Sequence, residues 1–227
     1  MRSAMSFVDS SGQRAVEQAI EQAERRTCAE IVCAVATESG RYDRAEAFGG
    51  LVGALAALSV AHGLHSLLVD GTGRWDTTAG PALAWQSLAV VVGFVVGNML
   101  LSFVHPLRRL VTSEREMGDE VARAASHVFA LRGLRRTRDR GGMLIYVSLF
   151  ERRVVVLAGD RIMRALGQPF VDSVRDCAAS ALRSGERSAT FVRAVEESIA
   201  RLEPVLPAQT DNTDELFNEL LRFHPRP

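Results

Sequence analysis

The chain has 227 residues, 47% of them apolar, and its 27 basic residues, all arginine, balance 27 acidic ones to a net charge of zero. Such a neutral chain carries no global electrostatic footprint for nucleic acid, and no nucleic-acid partner is expected. Three cysteines, Cys28, Cys33 and Cys177, without a C-x-x-C pair, exclude a disulfide framework or a zinc site and read as reduced, buried thiols.

Residues 1–26 hold no apolar run of signal-peptide type. Residues 12–26 predict an amphipathic helix, with Val16, Ala19, Ile20 and Ala23 at helical spacing. Residues 29–36 (AEIVCAVA) read as a buried strand. Two runs without Asp, Glu, Arg or Lys follow, 47–69 and 81–104. Each is long enough to cross a hydrocarbon layer of about 30 Å as a helix. The lipid bilayer is thus the first expected partner.

Gly49 and Gly53 in the first span, and Gly93 and Gly97 in the second, have the small-x-x-x-small spacing that lets membrane helices approach closely. They point to packing of the spans on each other, on a second copy or on other membrane proteins. Trp75 and Trp85 suit one membrane interface. His62 and His65 near the same end are expected to be packed or interfacial. Arg25, Arg26, Arg41 and Arg44 precede the spans, and Arg108, Arg109, Arg115 and Arg123 follow them. The connecting turn has Arg74. That asymmetry predicts two spans in a bacterial inner membrane with both termini cytoplasmic.

Ser113-Glu-Arg-Glu116 is a capping box opening a helix to about Leu131. An arginine-rich loop, 132–140, follows; it is expected to be solvated, with phosphate or anionic lipid as its other candidate contacts. Residues 143–149 and 153–158 then read as a β-hairpin. The first of its strands is expected to run parallel to the 30–36 strand. Helices are expected over 161–166, 170–183 and 188–203, broken by Gly167-Gln-Pro169 and stopped by Pro204. Leu216, Phe217, Leu220 and Leu221 suggest a short amphipathic helix over 214–223. The expected organisation is a split soluble domain (1–46 and 105–207), a membrane hairpin (47–104) and a tail (208–227).

Residues 137–162 (TRDRGGMLIYVSLFERRVVVLAGDRI) resemble the central block of the TPM domain. That family is named for a thylakoid lumen protein, a photosystem II repair protein and a nematode receptor modulator. Glu24–Thr27 with Glu30–Val35 resembles its opening helix and strand, and residues 188–203 its closing helix. The resemblance implies an α/β fold with a small mixed sheet flanked by helices in three layers, here interrupted by the two-helix hairpin. Acid phosphatase activity and calcium binding are associated with some members. Many members carry a signal peptide and an exported domain, which this chain's expected topology does not match.

No G-x-S-x-G, P-loop or H-E-x-x-H pattern is present, and no catalytic residue is assigned. Carboxylates near strand ends are the candidate chemistry: Asp139 and Asp160 first, then Glu38 and Glu151. Hard oxygen ligands of this kind suit Ca2+ or Mg2+. Arg138, Arg140 and Arg161 beside them offer the other reading, a surface ion-pair network. The expected function is a membrane-anchored binding or scaffold module in assembly or maintenance of membrane proteins. The alternative is a divalent-metal-dependent phosphatase.

Overall fold

The computed structural model describes residues 3–70, 80–134, 141–208 and 218–227. Arg74, Trp75, Arg135 to Arg140 with Asp139, and residues 214–217 of the expected tail helix lie outside them. The chain divides into two units, Met1–Gly40 with Glu114–Pro227, and Arg41–Ser113.

The first unit is a mixed four-stranded sheet between helices, an α/β fold as expected. Strands β1 (Glu30–Ala36), β2 (Gly142–Ser148), β3 (Arg153–Ala158) and β4 (Leu221–Phe223) lie in the order β3-β2-β1-β4. β1 and β2 are parallel, with Glu30 opposite Gly142 and Ala36 opposite Ser148. β3 returns antiparallel to β2 through a four-residue turn. Both central strands are buried along their whole length, so they read as apolar runs rather than alternating ones.

Alternation still sorts their side chains into two cores. Ile31, Cys33, Val35, Met143, Ile145 and Val147 pack with α1 (Ser10–Glu24), α6 (Asp160–Arg183) and α7 (Arg187–Leu202). Val32, Ala34, Leu144 and Tyr146 pack with α5 (Glu114–Leu131) through Val121, Ala125, Val128 and Phe129. The result is three layers. The Gly167-Gln-Pro169 break is present as a kink inside α6, where Gly167 has φ +67°.

The C-terminal tail corrects the sequence reading. Leu221–Phe223 is a strand parallel to β1, with Ala34 opposite Leu221 and Ala36 opposite Phe223. The helical spacing of Leu220 and Leu221 loses to the open edge of β1. There Leu221 enters the α5-side core and Leu220 the other.

The second unit holds α2 (Asp43–Asp70), α3 (Gly80–Phe103) and α4 (His105–Val111). It is wider than the expected 47–104 at both ends, because it begins at Arg41 and includes α4. Two helices are long and apolar enough to cross a membrane, and 11% of each apolar stretch is buried. Their other faces are exposed and hydrophobic, with Leu51, Leu55, Val60, Val91, Val95 and Met99 among them.

The glycines form the seam between α2 and α3. A Cβ on Gly53 would collide with the Gly93 carbonyl oxygen, and one on Gly97 with that of Gly49. These glycines pack the two helices of the hairpin on each other. Below the seam, Arg108 is 5% exposed. Its guanidinium sits 5.6 Å from the Tyr42 ring centroid and 3.5 Å from Glu46. α4 carries exposed Leu107, Leu110 and Val111 beside Arg108 and Arg109. That composition suits a membrane interface. His62 is exposed, and its Nδ1 lies 3.4 Å from Gln86 Nε2.

Gly97→Ala forces two backbones apart, whereas a methyl group on Gly63 would meet no atom within 4 Å. Gly97→Ala should therefore lower stability in detergent by about 1–3 kcal/mol, the usual cost of overpacking. Gly63→Ala should leave it unchanged. Thermal melts of the purified protein check both.

Candidate functional site

In parallel sheets, functional groups gather beyond the carboxyl ends of the strands. Here β1 and β2 end together at Ala36 and Ser148, and two loops leave that edge: Thr37–Gly40 and the turn Leu149–Arg152. The loops are stitched by backbone bonds, with Leu149 N–H donating to Ala36 O and Phe150 N–H to Thr37 O, each at 3.0 Å. This brings Glu151 under Ser39. One carboxylate oxygen accepts from Ser39 N–H at 2.9 Å and Gly40 N–H at 3.3 Å. The other accepts from the Ser148 hydroxyl. Ser39 Oγ in turn lies 2.7 Å from Ser148 Oγ and 2.9 Å from Tyr146 Oη.

This network is sealed. Tyr146 is fully buried, and Ser148 and Glu151 are each 1% exposed. Burial pushes the Tyr146 hydroxyl up to about 12, with the Glu151 charge adding to the rise and the Ser39 hydrogen bond opposing it. A tyrosine so held is no acid or base near neutrality. Ser148, although bonded to a carboxylate, offers no surface from which a substrate carbon or phosphorus could be reached. What the arrangement does is tie the two loops through a buried charge with its donors in place.

Glu38 stands at the same edge and holds the end of the chain. Arg226 grips its Oε1 with Nε at 3.0 Å and a terminal nitrogen at 2.7 Å. Thr37 Oγ1 lies 2.9 Å from His224 Nδ1 and accepts from Ala4 N–H at 2.8 Å. Asp160 is elsewhere. It opens α6 just after β3, whose Ala158 lies opposite Met143 at the start of β2. Six residue steps of β2 separate the two ends, about 20 Å at 3.3 Å per residue.

The four expected metal ligands therefore do not form one cluster. Glu38 and Glu151 share one end of the sheet, Asp160 lies at the other, and Asp139 is outside the described residues. Among the described residues no group of three or more His, Cys, Asp or Glu side chains could hold a metal ion. Asp160 sits instead in the first turn of a helix, where a carboxylate complements the dipole.

Sequence reasoning missed Ser39, Tyr146 and Ser148. The signal was there: Tyr146 and Ser148 are the polar positions of MLIYVSL, two apart and hence on one face.

No protein-family model matches the chain, and no curated protein matches it. The chain is similar in structure to the BA42 protein from the psychrophilic bacterium Bizionia argentinensis, solved by NMR. The TM-score is 0.56 at 17% identity, over 95% of this chain and 94% of that one. At that identity the likeness concerns the fold.

Two outcomes follow from the sealed network. Glu151→Ala strands three buried donors, so it should cost about 3 kcal/mol or more, at roughly 1 kcal/mol or more each; urea melts measure it. Tyr146 keeps its proton longer in the folded chain than in the unfolded one, where the usual value is near 10. The resulting stability is present below pH 10 and lost as pH rises toward 12, at up to about 1.4 kcal/mol per unit. Cys33, also raised by burial, weakens the fold in the same direction. Comparing urea melts of wild type and Tyr146→Phe at pH 9 and 11 isolates the tyrosine: the variant should lose less stability across that interval.

Proposed function

We propose that this chain is a two-span bacterial inner-membrane protein of the TPM type. Both termini are cytoplasmic, and the α/β unit is a binding or scaffold module in assembly or maintenance of other membrane proteins. The observation that carries the non-catalytic reading is the sealed network at the strand ends. Where an α/β enzyme of this layout would open a cleft, the polar groups are buried and spent on one another. The arginine asymmetry supports the orientation. The apolar faces of α2 and α3 support the membrane.

Alkaline phosphatase fused at Pro227 should be inactive and fused at Gly73 active. The reverse pattern overturns the orientation. The full chain in detergent should release no phosphate from p-nitrophenyl phosphate with or without Mg2+ or Ca2+. Metal-dependent turnover that Asp139→Asn or Asp160→Asn abolishes would establish the phosphatase reading instead. A photo-crosslinker in the α/β unit should yield adducts with membrane proteins in intact cells.

A further inference from the structure

A cavity of about 460 Å³ opens in the α/β unit, where the β2–β3 turn meets the end of α6 and the start of α7. Its floor is apolar, with Val147 and Val154 from the hairpin and Leu182 from α6. Its cations are Arg152, Arg183 and Arg187, and no acidic residue lines it among the described residues. Ser148 lies beside it with its hydroxyl donated to Glu151. The volume falls within the range of small-molecule sites.

Several arginines of the unit carry acidic partners: Arg153 pairs with Glu114 at 2.9 Å, Arg175 with Asp172 at 2.7 Å, and Arg193 with Glu186 at 2.5 Å. Among the described residues, Arg152, Arg183 and Arg187 have no acidic partner, and the Glu186 carboxylate next to Arg187 in sequence is engaged by Arg193. Two of the three also stand where the backbone disfavours them. Arg152 has φ +54°, a left-handed position that glycine or asparagine adopts more cheaply. Arg187 is the first residue of α7, where the helix dipole is already positive. Three like charges thus surround one cavity, two of them in costly positions, and none has an acidic partner among the described residues.

We propose that this cavity binds an organic anion. The three guanidinium groups grip an oxyanion head by charge-assisted, bidentate hydrogen bonds, and an apolar body lies on Val147, Val154 and Leu182. The site borders the sealed Glu151 network at Ser148 and involves no bond making or breaking. The head group can belong to a soluble organic acid or phosphate ester, or to an anionic lipid.

Isothermal titration on the full chain in neutral detergent tests this with phenyl phosphate, inorganic phosphate and benzyl alcohol. Phenyl phosphate should bind about tenfold or more tighter than inorganic phosphate, because it adds apolar contact, and benzyl alcohol should not bind. The double variant Arg183→Ala/Arg187→Ala should lose about tenfold or more in affinity. Arg152→Gly relieves the left-handed residue, so its melting temperature should equal or exceed that of wild type while phenyl phosphate binding weakens. That pairing separates loss of the site from loss of the fold. Nanodiscs of phosphatidylcholine containing phosphatidic acid distinguish the sources: competition with phenyl phosphate assigns the site to a lipid, and its absence to a soluble anion. No saturable binding of phenyl phosphate at millimolar concentration, or binding unchanged in the arginine variants, overturns the proposal.

Discussion

The parallel pairing of β1 with β2 is the constraint on which the rest depends. Parallel neighbours cannot be joined by a tight turn and need a crossover of a dozen residues or more. Here the crossover runs from Thr37 to Gly141 and contains α2, α3, α4 and α5. Gly40 and Glu114 belong to one folded unit, so any membrane crossing made between them must be made an even number of times. Two apolar helices in succession satisfy that rule with the fewest spans. The glycine seam lets them do so as an antiparallel pair in close backbone contact.

The same pairing decides what happens at the carboxyl edge. Bringing Ala36 and Ser148 level puts two loop starts side by side, and their backbone groups need partners once buried. Glu151 supplies acceptors for one loop from the other, and Ser148, Ser39 and Tyr146 extend the chain of hydroxyl groups behind it. Glu38 does the equivalent for the C-terminus by holding Arg226. A buried carboxylate is stabilising only when its donors are complete, and removing it leaves them stranded. The edge is a clasp by this logic, and the accessible chemistry lies one turn away, among arginines that the clasp leaves unneutralised.

Much of this was legible from residue pattern. Absence of charge over 47–69 and 81–104 identified α2 and α3. Spacing located β2 and β3 nearly to the residue, and the Ser113 capping box placed α5. Three features were not legible, each for a physical reason. The seven residues of α4 are too few for periodicity to register, and Arg108 gave no sign that Tyr42 and Glu46 would enclose it. The C-terminal Leu221–Phe223 carries a helical pattern that an unfilled sheet edge overrides, a tertiary effect invisible locally. The clasp escaped because charge points to carboxylates, and the distinguishing groups at that edge are hydroxyls. Charge also groups Asp160 with Glu38 and Glu151, although strand direction sends it to the opposite end.

The crossover also bears on how the sheet is assembled. Glu30 and Gly142 are partners across 112 residues of chain (142 − 30), and β4 adds to β1 from farther still. Closing so long a loop is slow, because its entropy is lost before the contact forms. If α2 and α3 pair first, the free loop shrinks to about 50 residues, and the closure cost falls by roughly (3/2)RT ln(112/50), about 0.7 kcal/mol. That is a modest gain, too small to make the sheet depend on the hairpin thermodynamically. Its effect is on order: the glycine seam joins residues nearer in sequence than β1 and β2, and leaves α5 and β2 a shorter loop to close. The apolar helix pair thus shortens the path to the sheet it interrupts.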